Sequence, residues 1–560
     1  MSKLVRILAG LGVLACLTGI VLAVVVPGSF WSQLWPHDRG NGQIRVETVG
    51  NPPAAALQDV KLAAEKFPGF IASCTGTYAM QDVSLYLAAD EDTYKSTLGD
   101  KFDLKSDEAE NIARVSGGWT GGATGITVIN AAAGVMSDKS NHYTTTAHEL
   151  FHQLQYALAQ GHDTDDAAIF WLEEGSADFV GAALCEELGG RTVDKWHLDV
   201  ELDLLGAAKL VKIEALQHCN QEQRIKLMQQ DLHTYQLSDL MTWYLVTHYV
   251  VPGQSDSRSA NQAGVKALAA YFQALQDTHD GPQAFERAFG VSLDAFLQDF
   301  RKWWGQERRS PLQFDIEARS GVSQAMRDSF AQEAEEARGL LRRSLGSDMH
   351  GHYHVILAAN ADDMAAAARQ ELGLEADEAK KMAGDSLWVE HGSTLIMNAG
   401  ELSDGMQRRF IVGTMLMRLY ESQYMNVSGR ADETAGKTLE WLQHGAGYLM
   451  GVQFAIAGQR VTLADYQRNW QQELRSSSLP SHIDLVSTKG YKQAEQEYGN
   501  KVVSELTEYA AAELLQHGGW RNIQHWLQQT RTQGDAGKAF RSVYGRSADE
   551  FLQQVRLTIH

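Results

Sequence analysis

The feature that most limits what this chain can fold into is an internal repeat, because two copies of one unit must share one architecture. Ala284–Arg301 reads AFERAFGVSLDAFLQDFR and Ala539–Arg556 reads AFRSVYGRSADEFLQQVR, so Ala-Phe, Gly, Ser, Phe-Leu-Gln and Arg coincide at an offset of 255. Upstream, Val83–Asp92 (VSLYLAADED) matches Tyr353–Asp362 (YHVILAANAD), and Ile126–Ala131 (ITVINA) matches Thr394–Ala399 (TLIMNA). Trp171-Leu172 with Gly175 matches Trp441-Leu442 with Gly445. Four matches in one order, at offsets of 255 to 270, divide the chain into copy one at residues 45–310 and copy two at 320–560. Gln306–Gln313, charged and holding Pro311, is the hinge. In copy one, short alternating apolar runs predict strands near 83–89 and 125–130. Longer periodic patterns predict helices near 143–159, 167–187, 235–249, 264–277 and 293–304. Strands first and helices afterwards imply an α+β fold with a small sheet and a mostly helical part. The strand at 125–130 is expected at the sheet edge, where an extended peptide could pair with it.

The N-terminus departs from this globular pattern. Lys3 and Arg6 precede Ile7–Val26, a stretch without a charge. Twenty residues of helix rise about 30 Å, the thickness of a bilayer core. Pro27, Trp31 and Trp35 follow, a helix breaker and two interfacial aromatics. Residues 1–36 are therefore expected to form one transmembrane anchor, with a signal peptide cut near Val21-Leu22-Ala23 as the competitor. A loose lipidation box at Val13–Cys16 is a third reading. All three place residue 40 onward outside the cytoplasm, on a single-pass membrane protein in the first case. Beyond the anchor, Cys74, Cys185 and Cys219 allow at most one internal disulfide, Cys185–Cys219 being one choice. A net charge of −21, from 70 acidic against 49 basic residues, argues against a nucleic-acid partner.

The chemistry-bearing stretch is Thr144–Tyr156, TTTAHELFHQLQY, which contains His148-Glu149-Leu150-Phe151-His152. On a helix, positions i and i+4 share a face, so both imidazoles can reach one ion, with Glu149 close enough to touch its water. Leu150, Phe151 and Leu154 make this a largely apolar helix, in which imidazole and carboxylate groups need a partner. Further on stands Trp171-Leu172-Glu173-Glu174-Gly175-Ser176-Ala177-Asp178. Together the two segments resemble the gluzincin metallopeptidases, the group that includes thermolysin and the alanyl aminopeptidases, in which a second helix with a W-L-x-E-G-type start supplies a glutamate. The resemblance implies a tandem pair of thermolysin/aminopeptidase-like domains and points to Glu174, rather than Glu173, as the third ligand. Asp178, at i+4 from Glu174, faces the same way and can orient a histidine ring. The His152-to-Glu174 gap is slightly longer than is usual in those families. The resemblance also implies a tyrosine opening a later helix with a second aromatic nine residues on. Tyr235 with Tyr244-Leu245 fits that pattern, whereas Tyr249 and His233 are rivals without it.

Two histidines, one glutamate and an open position are the donor set of a catalytic zinc site. The reading is a zinc metallopeptidase with one Zn²⁺, in the first domain, acting on a peptide or protein substrate. His148, His152 and Glu174 hold the ion, Glu149 is the general base and Tyr235 supports the oxyanion. The family's G-x-M-E-N stretch, which grips a substrate amine, has no counterpart; the glycine-rich GGWTGGATG of Gly117–Gly125 stands in its place, so aminopeptidase activity is not implied. The alternative is a non-catalytic extracytoplasmic scaffold or binding protein on a peptidase-like fold. Copy two is expected to be a degenerate, metal-free lobe, since Thr414, Met415 and Arg418 replace His148, Glu149 and His152, and His444 replaces Glu174. It is left to dock against copy one, shape its cleft, or bind a partner or substrate.

Overall fold

In a computed structural model of the chain, which describes residues 42–559 apart from 77, 79, 162–166, 208, 218–220, 231, 255, 426–438 and 478–483, both halves begin with the same small sheet. β1 (Ile44–Val49), β2 (Val83–Ala88), β3 (Gly118–Gly121) and β4 (Ile126–Asn130) lie in the order β1-β2-β4-β3. β1 and β4 run parallel to β2, and β3 runs antiparallel to β4. β5 (Gln313–Ala318), β6 (His352–Ala358), β7 (Trp388–His391) and β8 (Thr394–Asn398) repeat the order and the directions. The register repeats too: Leu85 lies opposite Thr127 as Val355 lies opposite Leu395.

Parallel neighbours require a crossover. Helix Ala54–Thr75 links β1 to β2, and helix Gln324–Leu345 links β5 to β6. Helices Glu91–Phe102 and Ser106–Val115 follow β2 and cover one face of the sheet through Tyr94, Leu98 and Ile112, which meet Val128. Ile129 faces the main core on the other side. β4 is thus covered on both faces, and Thr127, Val128, Ile129 and Asn130 are all buried. The remainder is helical, so the chain is mostly helix with small mixed sheets, an α+β arrangement.

The repeated sequence motifs turn out to be one core joint made twice. Trp171 stacks on Phe296 at 5.3 Å between ring centres, with Phe285 at 6.1 Å. Trp441 stacks on Phe551 at 5.7 Å, with Phe540 at 6.0 Å. All six rings are buried. Each such pair contributes about 0.5–1.5 kcal/mol beyond the area it removes from water. Helix Val193–Gly206 joins the halves. Asp199 accepts from the Ser393 backbone N–H and hydroxyl at 2.6 and 2.8 Å, Lys195 donates to the Glu371 carbonyl at 2.9 Å, and Leu202 packs against the second core.

The second sheet begins at Gln313, in β5, which pairs with β6. Three expectations are corrected. β4 lies between β2 and β3, so the sheet edge near helix Lys139–Ala159 is β3, not the strand at 125–130. Cys185 is a free buried thiol, as is Cys74, so the Cys185–Cys219 pairing is not made; Cys219 lies outside the described residues. The transmembrane element is withdrawn. Residues 1–36 lie outside the described residues, and among those described no helix is long and apolar enough to cross a membrane. The 22-residue helices Ala54–Thr75 and Ser257–Thr278 bury one side and carry charges on the other, as helices packed on a protein core do.

Candidate metal centre

Helix Lys139–Ala159 starts at Asp138, whose carboxylate accepts from the Asn141 N–H, and carries His148, Glu149 and His152 into the interior. It packs against helix Phe170–Glu187, which brings Glu174 opposite the imidazoles. Gly181 allows this approach, since a Cβ there would lie 2.6 Å from the Thr144 carbonyl; Gly175 does the same for helix Thr234–Leu245, a Cβ there lying 2.3 Å from the Ser238 carbonyl. Nε2 of His148 and Nε2 of His152 stand 3.0 Å apart, and Glu174 Oε2 lies 3.7 and 3.6 Å from them. One donor atom from each of the three residues falls within 4.8 Å of the others.

The outer nitrogens fix the tautomers. His148 Nδ1 is 2.7 Å from Asp178 Oδ1, and His152 Nδ1 is 2.7 Å from Gln155 Oε1. Gln155 can only present its oxygen there, because its Nε2 donates to the Glu173 carbonyl at 2.8 Å and to Ser176 Oγ at 3.0 Å. With both Nδ1–H groups donated, both Nε2 lone pairs point at one place. Two lone pairs 3.0 Å apart repel unless a cation or a shared proton lies between them. The donor set therefore fits a divalent ion of the zinc class. The field of the site favours positive charge: burial opposes charge on His152, but Glu174 outweighs it and lifts the pKa to about 10, so an ion there would displace a proton. Burial also opposes charge on His148, and Asp178 reverses it, raising the pKa.

Glu173 and Glu174, adjacent in sequence, face different partners. Glu173 is clasped by both terminal nitrogens of Arg224, at 2.8 and 2.5 Å, while Glu174 turns to the imidazoles. Glu149 is buried beneath β3, where Thr120 Oγ1 donates to its Oε2 at 2.6 Å. Burial raises its pKa against the lowering influence of His148 and His152, as suits a proton acceptor. Gly118 makes room for it, since a Cβ there would sit 2.3 Å from Glu149 Oε1.

Tyr235 opens helix Thr234–Leu245 behind His233, which caps the helix in the left-handed region at φ +53°. Burial, then the charges of Glu174, Glu149 and Asp178, push its pKa well up, so the phenol lies in the field of the three carboxylates. The rival tyrosines are elsewhere: Tyr249 donates to Asp299 at 2.8 Å, and Tyr244 stacks on Trp303. Sequence reasoning missed four supporting residues, Gly118, Thr120, Gln155 and Asp239. Asp239, buried beside Asp178, has its pKa pushed well up by burial and by that neighbour's charge, which favours the protonated form able to donate to the carboxylate that orients His148. Its spacing of four from Tyr235 was the available signal.

In copy two the equivalent helices are Gly405–Met425 and Glu440–Ala455. Gly451 meets the Phe410 carbonyl as Gly181 meets that of Thr144, which sets Thr414, Met415 and Arg418 in the places of His148, Glu149 and His152. Arg418 Nη2 approaches His444 Nδ1 at 3.5 Å, and its Nη1 approaches Glu421 at 3.6 Å. Among the described residues no metal-ligand cluster forms there. Comparison with known protein families, curated proteins and solved structures returns no match for this chain.

Proposed function

We propose that the chain is a zinc-dependent peptidase of gluzincin type, a tandem pair of thermolysin/aminopeptidase-like domains in which only the first is catalytic. The observation that carries this reading is the convergence of the His148 and His152 Nε2 lone pairs and Glu174 on one point, with both Nδ1 atoms committed elsewhere. When bound there, zinc would act as a Lewis acid and lower the pKa of a water towards ~7. Glu149 takes the proton of the attacking water and passes it to the leaving amine. Tyr235 donates to the developing oxyanion. Asp178 and Gln155 hold the imidazoles in the working tautomer, and Asp239 steadies Asp178. β3 is an edge strand beside Glu149, so an extended peptide adding to it would lay its backbone along the general base.

The test uses the full-length protein: bound zinc is measured, and a peptide library is screened by mass spectrometry. Glu149→Gln should retain zinc and lose at least ~10²-fold in turnover, because only the base is removed. Zinc binding with no hydrolysis of any peptide would instead favour the non-catalytic scaffold.

A further inference from the structure

A second group of metal-type donors lies at the joint between the halves, away from the first centre. Helix Val193–Gly206 carries His197 and Glu201 one turn apart, the spacing of His148 and His152. Glu307 ends helix Leu293–Glu307, the last of the first half, and His352 begins β6 of the second sheet. Donor atoms of Glu201, Glu307 and His352 all fall within 4.8 Å of one another. His352 Nδ1 lies 3.8 Å from Glu201 Oε1 and 3.9 Å from Glu307 Oε1, and His197 Nε2 lies 3.6 Å from Glu201 Oε2. These separations are too long for hydrogen bonds. They are close to the 3.6 and 3.7 Å between Glu174 and its histidines.

Two of these atoms are buried with nothing to bond. Glu201 is 2% exposed and His197 8%, and neither Glu201 Oε1 nor His197 Nε2 has a hydrogen-bond partner. An unpaired buried carboxylate is costly unless a cation serves it. A protonated His352 between two carboxylates would serve Glu201 and Glu307 but leave His197 Nε2 facing Glu201 unserved. The His197 ring is stacked on Trp243 at 3.4 Å between ring centres, which holds it in place.

The geometry points to a second metal site: Glu201, Glu307 and His352 bind a divalent ion of the zinc class that ties the two halves together, with His197 facing the other Glu201 oxygen. An imidazole nitrogen among the donors selects that class over calcium or magnesium. The site adds one ion to the single zinc implied by the sequence, and it does not depend on the peptidase reading. The test is zinc content of the full-length protein after saturation with Zn²⁺ and removal of free ion. We expect two ions per chain in the wild type, one after Glu201→Gln with His352→Gln, one after His152→Ala, and none in the triple variant. An unchanged content in Glu201→Gln/His352→Gln overturns the junction site, whereas an unchanged content in His152→Ala counts against the first centre alone. Should the double variant fail to fold, Glu307→Gln is the milder probe, its side chain being 19% exposed at a helix end. It should weaken one of the two zincs at least ~10-fold in titration with the circular dichroism unchanged. Equal affinities would overturn the site.

Discussion

Replacing Gly118 by alanine tests whether Glu149 is a base whose position matters. Gly118 is ordinary strand with φ outside the left-handed region, so alanine strains no backbone there. The added Cβ would lie 2.3 Å from Oε1 and 2.6 Å from Cδ of Glu149. Ordinary contact needs roughly 3.5 Å, so the carboxylate must retreat by about 1 Å. The obstacle is the end of a side chain and not backbone, so the fold should lose little. The same move pulls Oε2 off Thr120, now at 2.6 Å, and away from the proton it must collect. A misplacement of about 1 Å costs on the order of 10²-fold, equivalent to about 2.7 kcal/mol of barrier. His148, His152 and Glu174 do not touch Gly118, so the metal should remain. The assay is kcat on the best library peptide, with zinc content and thermal melting measured on the same sample. Wild-type kcat in Gly118→Ala would refute the role given to Glu149, and loss of zinc would show that β3 supports the ligands instead.

His152→Ala and Glu174→Ala should each release the first-centre zinc, while Glu173→Ala should keep it, because Glu173 is engaged by Arg224; metal analysis of the three variants decides. Tyr235→Phe should retain zinc and lower kcat by ~10²-fold, the usual effect of removing one oxyanion donor, with KM little changed; steady-state kinetics would show a loss confined to KM if the role is wrong. In copy two, burial lifts the Glu421 pKa to about 8, with Arg418 pulling it partly back. A carboxyl raised above its unfolded pKa contributes stability that is full below about pH 4.3 and is lost as pH rises through the folded value. Glu421→Gln should therefore match wild type in denaturant melts at pH 4 and exceed it at pH 8.5 by about 2–5 kcal/mol; an equal gap at both pH values would contradict the burial argument.

What could be read from the sequence was whatever repeats or is periodic. The aromatic joint of Trp171, Phe285 and Phe296 was visible because copy two rebuilds it with Trp441, Phe540 and Phe551. The i, i+4 spacing of His148 and His152 announced a shared face, and Asp178 followed by the same rule. β3 was hidden because GWTG has no alternation, Gly118 leaving room for Glu149 and Gly121 for Phe102. Helix Ala54–Thr75 was hidden by Pro68 and Gly69 within it. Helix Val193–Gly206 was hidden because it serves both halves, so no single apolar stripe marks it. Asp239 and Thr120 reach the centre only through tertiary packing, which periodicity does not encode.

The second copy bears on what the first centre is for. Its helix pair Gly405–Met425 and Glu440–Ala455 packs as closely as its counterpart, Gly413 and Gly451 lying against each other, with no ligand set between the helices among the described residues. There Arg418 spans towards Glu421 and His444, supplying from the chain the positive charge that an ion would bring. The fold thus closes over this position without a metal, and the buried joint at Trp441 is unaffected. By the same packing, copy one does not need His148, His152 and Glu174 to hold its helices together. Three converging donors, a buried carboxylate at Glu149 and a raised phenol at Tyr235 impose a desolvation penalty on copy one that its frame does not require. Groups kept at such a cost without a folding role are most economically explained by chemistry, and it is this contrast within one chain that argues for a reactive centre in the first half.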